Sequence, residues 1–332
     1  MTADPQRPPA GVALTTLRGR LDDELATRVR RIVEAATEVD GVRPLSEHVT
    51  LHLRYGGDVP TRNVLLWAAE GGEERLAGYA HLDVTDPVEG PSAELVVDPA
   101  YRDRGYARRL VGRLLEESPD GRLRLWAHGG HPGAARLADV MGFESTRALW
   151  QMRRSLFAPL PQAPVPAGVA VRTFEAGHDD QEWVRVNARA FAGHPEQGDM
   201  TVRDLHRRMA EPWFDPAGFF LAERSGRLVG FHWTKIHGGE GDHPHGHEPI
   251  GEVYVVGVDP DEQGTGLGRA LTVIGLRHLR ARGLPQAMLY VDATNAAAIR
   301  LYESLGFTHW ETDVMYRRDP VTHRRPDHGR AV

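Results

Sequence analysis

The chain has 332 residues, a formal net charge of −6 at pH 7 and no cysteine. This length suits two domains of ordinary size, and the mixed signs of charge argue against a nucleic-acid-binding protein, which presents a basic face. The absence of cysteine excludes disulfides and thiolate metal sites, and without an apolar run of ~18 residues or a secretory signal we expect a cytoplasmic protein with no membrane partner.

One sequence pattern occurs in both halves of the chain. In each half, helical segments are followed by strands, and then a strand, a glycine-containing turn, a helix, a strand and a second helix follow in order. Asp98 matches Asp259 at an offset of 161 positions, and Gly142 matches Gly306 at an offset of 164. A solenoid repeats every ~20–50 residues, so this long offset predicts two tandem domains, each built on a mixed α/β sheet.

A proline-rich segment separates the two halves. Residues 159–166 contain four prolines, a composition that favours extended polyproline conformation over helix or strand. We therefore divide the chain into an N-terminal domain (1–157), a linker (158–168), a C-terminal domain (169–320) and a tail (321–332).

The second half has the clearer pattern of elements. Helices are predicted over 181–191, 201–211, 267–282 and 295–305, and strands over 219–223, 228–235, 251–258, 287–292 and 310–317. The segment 237–247 contains four histidines. Its glycines and proline provide no fixed geometry for a metal ion, so we interpret it as a solvated loop and expect no metal site.

Both halves carry a turn suited to phosphate. Gln263–Gly268 (QGTGLG) follows a strand and opens a helix, and Arg102–Ala107 (RDRGYA) occupies the same place in the first half. Glycines let the backbone approach a ligand, and the amides at a helix N-terminus attract phosphate. A dinucleotide fold uses similar spacing, but here the turn comes late in the domain and no acidic residue ends a second strand ~20 residues on, which argues against that fold.

The order strand, Asp-Pro, turn and helix, followed by Leu305-Gly-Phe307 in the second half and Met141-Gly-Phe143 in the first, resembles the GCN5-related N-acetyltransferase (GNAT) superfamily. In that superfamily the turn wraps the pyrophosphate of coenzyme A. The resemblance implies two tandem GNAT domains and acetyl-CoA as cosubstrate.

Only the second half has the groups that acetyl transfer to an amine needs, a base for the ammonium proton and an acid for the leaving thiolate. Seven residues before Asp259 stands Glu252, and seven before Asp98 stands Pro91. On strand alternation Glu252 shares a face with Tyr254, Val256 and Val258, and apolar neighbours there would raise its pKa.

The acid is identified by the same comparison. Five residues before each Gly-Phe phenylalanine stand Tyr302 and Ala138. A phenol, with an ordinary pKa of ~10, can protonate a thiolate. We therefore predict Glu252 as base and Tyr302 as acid, and an N-terminal domain that can hold coenzyme without catalysing. A salt-bridged strand-edge glutamate and a core tyrosine are the alternative interpretations.

Longer strings narrow the resemblance to the mycothiol synthase family, over nearly the whole chain. They are 40–47, 126–129, 151–154, 191–198, 213–216, 230–235 and 251–260. The resemblance implies acetylation of the cysteinyl amine of 1D-myo-inositol 2-(L-cysteinylamino)-2-deoxy-alpha-D-glucopyranoside, the last step of mycothiol biosynthesis.

The resemblance also implies binding residues. The substrate would contact Glu47, Glu196, Lys235, Glu252 and Tyr290. Acetyl-CoA would contact Val256, Gly257, Val258, Gln263, Gly264, Thr265, Gly266, Leu267, Gly268, Arg269, Asn295, Ala296, Ala297, Ala298, Ile299 and Arg300. A second coenzyme site would comprise Leu95, Val96, Val97, Asp103, Arg104, Gly105, Tyr106, Ala107 and Arg108. Lys235 is the only lysine in the sequence. In the turn of the first half, Asp103 stands where the second half has a glycine.

Two other functions remain open from the residues alone. One is a tandem acetyltransferase acting on another amine, such as an aminoglycoside or a protein N-terminus. The other is a non-catalytic acyl-CoA-binding regulator, which the first half alone would fit. Nothing in the sequence marks an obligate interface, so we expect a monomer.

Overall fold

The computed structural model describes residues 11–56, 61–238 and 248–320, with the side chains of Pro195 and Glu196 left undescribed. The chain forms two compact units. Unit 1 comprises Met1–Ala148 and Thr312–Val332, and unit 2 comprises Leu149–Glu311. These units are bounded differently from the domains proposed from the proline-rich segment, because two strands begin in one unit and end in the other.

The elements follow the order expected for a duplicated pattern. Unit 1 contains β1 (Val12–Arg18), α1 (Asp23–Asp40), α2 (Glu47–Tyr55), β2 (Arg62–Glu70), β3 (Glu73–Asp83), β4 (Ser92–Val97), α3 (Tyr106–Glu117), β5 (Leu123–Ala127) and α4 (Pro132–Val140). The strand β6 (Glu144–Ser155) crosses into unit 2. Unit 2 continues with β7 (Val169–Thr173), α5 (Asp180–Ala190), α6 (Pro195–Gly198), α7 (Val202–Met209), β8 (Phe219–Arg224), β9 (Arg227–His237), β10 (Ile250–Val258), α8 (Leu267–Ala281), β11 (Gln286–Asp292) and α9 (Ala296–Ser304). The strand β12 (Thr308–Arg318) returns to unit 1.

Each unit has a mixed sheet, as the sequence predicted. The strand order is β1-β2-β3-β4-β5-β12 in unit 1 and β7-β8-β9-β10-β11-β6 in unit 2. The pairs β4–β5 and β10–β11 are parallel, and the other assigned pairs are antiparallel. The predicted strand 310–317 forms, but Val314–Arg318 pairs with β5 of unit 1, while the end of β6 pairs with β11 of unit 2.

The sheet of unit 2 is packed on both faces. On the α5 face, Trp183 of α5 stacks edge-on against Trp233 of β9, and both are fully buried. On the α8 face, Leu276 of α8 joins a cluster with Leu289 of β11. Full burial of one such apolar side chain contributes about 1.5–3 kcal/mol, so the two clusters hold the sheet and its helices in place.

The strand β10 contains a β-bulge. Its register on β9 shifts between Val253 and Val255, so Tyr254 is the extra residue. The matching pair in unit 1, β3 with β4, runs from Gly78↔Val97 to Asp83↔Ser92 without a shift. A bulge takes one residue out of the ladder and bends the strand, so the two units differ in backbone at this point.

No helix in the described part of the chain is long and apolar enough to cross a bilayer.

Candidate active site

The glycine-rich turn of unit 2 is exposed and opens α8. Gly264 and Gly266 have φ values of 79° and 88°, a region that favours glycine, and Gly266 is the N-cap residue of the helix. Gln263, Gly264, Thr265 and Gly266 are all exposed. The turn therefore presents backbone amides and the positive end of a helix dipole to solvent, which suits a pyrophosphate.

The turn of unit 1 keeps this backbone but differs in side chains. Asp103, at the place of Gly264, has a φ of 60°, and Gly105 is the N-cap of α3 with a φ of 75°. Arg102, at the place of Gln263, donates two hydrogen bonds of 2.7 Å to Asp40. Asp103 is strained because it has a Cβ at positive φ. Arg102 differs from Gln263 in that its guanidinium is already bonded to a carboxylate.

An Asp-Pro corner anchors the strand that leads into the unit 2 turn. Asp259 is fully buried and accepts two hydrogen bonds of 2.8 Å from Arg189. It also accepts one from the backbone of Asp261. Arg189 is the main reason that the pKa of Asp259 is lowered to about 2, so the carboxylate stays charged and bonded.

A cleft opens between the two parallel strands of each unit. β10 and β11 pair at Gly251↔Ala287 and Glu252↔Met288, and within the described residues they have no further register pair. β4 and β5 likewise pair only over Ser92 and Ala93. The two strands of each pair continue beyond these positions without pairing to each other, and strand-edge amides and carbonyls can bind a ligand backbone.

Because of the bulge, the side chains that share a strand face with Glu252 differ from those that the sequence predicted. Tyr254 and Val255 both pack on the α5 face, whereas Val256 and Val258 pack with clusters of the α8 face. Glu252 therefore shares its face with Tyr254 and Val255, because the extra residue inverts the alternation beyond it.

The bulge also shifts the match between the two units by one position. On β9, Lys235 stands five residues after Gly230 and pairs with Glu252. At the matching place on β3, Asp83 stands five residues after Gly78 and pairs with Ser92. The residue of unit 1 that matches Glu252 is therefore Ser92 rather than Pro91. The predicted absence of a carboxylate there holds for either residue.

Glu252 is 7% exposed and has a histidine partner. The Nε2 atom of His237 lies 2.6 Å from its Oε2 atom. His237 stands two residues after Lys235 on β9, so both side chains lie on the face of Glu252. The sequence placed His237 in a solvated loop, whereas β9 extends far enough to include it.

Lys235 lies in an aromatic cage. Its Nζ atom is 4.5 Å from the ring centroid of Trp213 and 5.3 Å from that of Tyr254, and the lysine is 8% exposed. Arg208 donates a 2.9 Å hydrogen bond to the hydroxyl of Tyr254. Cation–π contacts of this kind stabilise a partly desolvated ammonium group beside the carboxylate of Glu252.

Tyr302 lies on α9 and packs against the cluster of the α8 face. Its ring makes an edge contact with Phe307 at 5.9 Å. Burial raises the pKa of Tyr302 to about 12, so the phenol is neutral throughout the physiological range. The amide of Phe307 donates to the carbonyl of Tyr302 as that of Phe143 does to Ala138, which confirms that the two residues are matched.

The remaining predicted substrate residues come from other elements. Tyr290 is on β11 and 42% exposed, and Glu47 is the first residue of α2. Glu196 belongs to α6, but its side chain is outside the described part. His237, Trp213 and Tyr254 were missed by the sequence analysis. Signals for two of them were present, since Trp213 begins the string 213–216 and Tyr254 shares the string 251–260 with Glu252.

The cleft of unit 1 carries its own buried polar network. The Nδ1 atom of His128 lies 2.8 Å from Asp313, and its Nε2 atom lies 3.6 Å from Glu94. Glu94 also accepts a 2.6 Å hydrogen bond from the backbone of Ser46, the N-cap of α2. Burial alone would lower the pKa of His128, but Asp313 and Glu94 outweigh it and raise that pKa to about 10.

Metal ligands are not grouped within 11–56, 61–238 and 248–320, where no set of three His, Cys, Asp or Glu residues could hold an ion. Most of the histidine-rich segment, 239–247, lies outside the described residues.

Comparison with known proteins agrees with this geometry. Residues 30–143 and 185–307 match the model of the acetyltransferase (GNAT) family. A mycothiol acetyltransferase of Acidothermus cellulolyticus is 62% identical over 90% of this chain and 93% of its own. One of Streptosporangium roseum is 59% identical over 91% and 98%. The chain belongs to the mycothiol acetyltransferase family of GNAT enzymes.

Membership in the mycothiol acetyltransferase family makes the chain an acyl-CoA N-acyltransferase, and the GNAT family uses acetyl-CoA. A solved tandem GNAT protein from the clavulanic acid biosynthesis pathway has the same fold, with a TM-score of 0.67, 18% identity and coverage of 92% of this chain and 98% of its own. Tandem GNAT architecture is therefore shared beyond the mycothiol acetyltransferases.

Proposed function

We propose that unit 2 transfers the acetyl group of acetyl-CoA to the cysteinyl amine of 1D-myo-inositol 2-(L-cysteinylamino)-2-deoxy-alpha-D-glucopyranoside, giving mycothiol in the last step of its biosynthesis. The names of the relatives supply the substrate class. The observation that supports the assignment to unit 2 is the position of Glu252 and Tyr302, which lie on opposite faces of the sheet that contains the β10–β11 cleft.

Glu252 is the proposed base. The substrate amine arrives as an ammonium ion, and Glu252 takes one proton so that the nitrogen lone pair can attack the acetyl carbonyl carbon. With His237 on Oε2, the Oε1 atom is the oxygen that we assign to the ammonium group. The imidazole fixes the carboxylate orientation, as an orienting partner of a base does.

The bulge is proposed to stabilise the acetyl carbonyl oxygen, and Tyr302 is proposed to protonate the leaving group. The register of β10 on β9 shifts at Tyr254, and we propose that the bulge turns backbone N–H groups of β10 toward the carbonyl oxygen, where they stabilise the negative charge that develops. As the C–N bond forms and the C–S bond breaks, Tyr302 donates its proton to the departing sulfur, and the second N–H proton of the attacking nitrogen returns to the phenolate. The raised pKa of Tyr302 keeps the phenol neutral before the reaction. The products are the amide, coenzyme A thiol and one released proton.

The residues proposed to bind the amine substrate are polar or anionic, except for Lys235. Lys235, held over Trp213 and Tyr254, offers a donor to a sugar oxygen, and Tyr290 offers an exposed phenol on the next strand. We propose that these residues, with Glu47, Glu196 and Glu252, bind the cysteinyl sugar. Carboxylates suit its ammonium and hydroxyl groups.

Acetyl-CoA fits the cleft and turn of unit 2. We propose that the pantetheine arm pairs with Val256–Val258, that the pyrophosphate meets the amides of Gln263–Arg269, and that Asn295–Arg300 covers the arm from α9. The positive φ values of the exposed glycines and the end of β10–β11 pairing at Glu252↔Met288 support this assignment.

A second coenzyme is proposed for unit 1, at Leu95–Val97 and Asp103–Arg108. Its cleft has the same strand pairing, and its turn the same positive φ values. Without a carboxylate at Ser92 or a phenol at Ala138, this site would hold coenzyme and leave it unreacted.

We further propose that the protein acts as a monomer in the cytoplasm on small molecules, without nucleic acid, membrane or metal partners. Its net charge of −6 supports the first two exclusions. Size-exclusion chromatography with light scattering tests the monomer, and activity after chelation tests the metal.

A substrate panel followed by mass spectrometry tests the proposed function. Acetyl-CoA is incubated with the cysteinyl conjugate and, separately, with free cysteine, glucosaminyl-inositol and an aminoglycoside. Acetylation restricted to the amine of the cysteinyl conjugate is the expected result. Acetylation of another amine with the conjugate untouched would contradict the substrate, and binding of acetyl-CoA without any turnover would favour a regulator.

A further inference from the structure

A chain of polar and aromatic contacts extends from Tyr290 along the sheet of unit 2. The Nε2 atom of Gln151 donates a 2.8 Å hydrogen bond to the Tyr290 hydroxyl. The Oε1 atom of Gln151 accepts a 2.7 Å hydrogen bond from Nε of Arg153. The guanidinium of Arg153 lies 4.5 Å from the ring centroid of Trp310.

These side chains lie on the same face as Glu252. Ala287, Leu289 and Val291 of β11 and Met152 of β6 belong to the cluster of the α8 face. The residues between them point the other way, because successive side chains of a strand alternate between faces. Met288, Tyr290, Gln151 and Arg153 are those intervening residues, so they share the α5 face with Glu252.

The strand register gives the distance between Arg153 and the proposed base, Glu252. Glu252 pairs with Met288, and Met288 pairs with Arg153. Neighbouring strands are about 4.7–4.9 Å apart, so the backbone of Arg153 lies about 10 Å from that of Glu252 across β11. This is about the length of a substrate with its amine at Glu252 and two linked rings beyond it.

The chemistry at this distance suits a polyhydroxylated ring. Trp310 is 60% exposed and Tyr290 is 42% exposed, whereas Gln151 is 7% exposed and held by two hydrogen bonds. Within the described ranges, the two terminal nitrogens of Arg153 donate to no other residue, and a guanidinium has five N–H donors. Flat aromatic rings beside several fixed donors match the apolar faces and hydroxyl edges of a cyclitol.

We propose that Gln151, Arg153 and Trp310 form a distal subsite that binds the terminal polyol ring of the acceptor. Arg153 donates hydrogen bonds to ring hydroxyls, Trp310 covers a ring face, and Gln151 holds Arg153 in place and joins the subsite to Tyr290. This inference rests on the proposed function and adds to it the residues that select for the far end of the substrate.

The test compares two acceptors. One is the full cysteinyl-glucosaminyl-inositol, and the other is cysteinyl-glucosamine, which lacks the distal ring. Wild type, R153A, W310A and Q151A are assayed for KM and kcat on both, with R153K and W310F as conservative variants. F157A is the matched control, since Phe157 is another exposed aromatic of unit 2, at 83%.

For the full acceptor, we expect R153A and W310A to raise KM about 10–100-fold, the range for losing a hydrogen-bonding or stacking contact to a ligand, with kcat changed less than threefold. For the short acceptor, the KM values of R153A and W310A should equal that of wild type, which is itself about 10–100-fold above the wild-type KM for the full acceptor. W310F should retain part of the affinity, and F157A should have no effect on either acceptor.

Equal losses on both acceptors, or no loss on the full one, would overturn the subsite while leaving the proposed function in place. A wild-type enzyme that acetylates neither acceptor would overturn the proposed function and the subsite with it. If an alanine variant fails to fold, as judged by circular dichroism, R153K and W310F decide by the same comparison of acceptors.

Discussion

The parallel-strand clefts of the two units have nearly the same backbone and different side chains at matched positions. Both open after two parallel register pairs, and both lead to a turn with positive φ values. In unit 2 the bulge at Tyr254 displaces the backbone, and Glu252 and Tyr302 are present. In unit 1 the strand is regular, and Ser92 and Ala138 take those places.

Charged groups beside the cleft and turn of unit 1 have partners within the unit. Arg102 is bonded to Asp40, and Glu94 to Ser46 and His128. Buried charges require such partners, since an unpaired one is costly to desolvate. In unit 2 the turn remains open and the lysine and carboxylate face each other across β9 and β10. The two units thus keep the same strand pairing and turn backbone with different charged groups beside them.

The largest effect is expected from E252Q. Removing the base should lower kcat by about 10²–10⁴-fold, with the KM for acetyl-CoA little changed. Steady-state release of coenzyme A thiol measures it. The matched control is S92A in unit 1, which should retain full activity. If S92A loses as much rate as E252Q, catalysis is not confined to unit 2.

The next effect is expected from Y302F. Loss of the acid should lower kcat by about 10²-fold, because the thiolate then leaves unprotonated. The control is Y79F, which removes another buried phenol, bonded to Asn63 in unit 1. Y79F should lower thermal stability and leave the rate per folded molecule unchanged. A rate for Y302F near wild type would remove the phenol from the mechanism.

A smaller effect is expected from exchanging the turn residues. G264D places in unit 2 the residue that unit 1 has at this point, at a φ of 79° and beside the proposed position of the coenzyme pyrophosphate. Strain at positive φ and charge repulsion should raise the KM for acetyl-CoA about tenfold. D103G in unit 1 should leave this KM unchanged. An unchanged KM in G264D would argue against the turn as the pyrophosphate site.

H128N should change stability and leave turnover intact. The folded pKa of His128, about 10, lies above its unfolded value, so its stabilisation is complete below pH ~6.5 and is lost as pH rises through 10. Urea unfolding should give wild type an advantage of about 3 kcal/mol at pH 6 that shrinks by pH 10. An advantage independent of pH would contradict the buried ion network.

We expect ionisation of Tyr302 to have no effect on the alkaline limb of the profile of kcat against pH. Since its pKa is raised to about 12, kcat should not fall through deprotonation of this phenol between pH 8 and 10.5. The profile of wild type is compared with that of Y302F. A descending limb near pH 10 that Y302F lacks would show an unshifted phenol.

The sequence was sufficient to predict the tandem folds, the two turns and the positions of Glu252 and Tyr302. These depend on local order and spacing, which duplication makes visible within one chain. The matched hydrogen bonds of Phe143 and Phe307 confirm the alignment of Ala138 with Tyr302.

The features that the sequence did not show depend on long-range pairing. The bulge at Tyr254 arises from register against β9, and no residue type marks it. His237 was assigned to a loop because glycines follow it, yet pairing with Ile250 extends the strand. Likewise, the sequence analysis placed the last strand in the C-terminal domain, whereas Val314–Arg318 pairs with β5 of unit 1.

A single-turnover experiment tests most directly whether only unit 2 reacts. The E252Q/Y302F double variant is loaded with acetyl-labelled acetyl-CoA and mixed with excess cysteinyl conjugate, and the amide formed per enzyme is counted by mass spectrometry beside wild type. We expect wild type to form amide within its turnover time and the double variant to form only the uncatalysed background. Near-stoichiometric amide from the double variant would show that unit 1 catalyses acetyl transfer and would contradict the account.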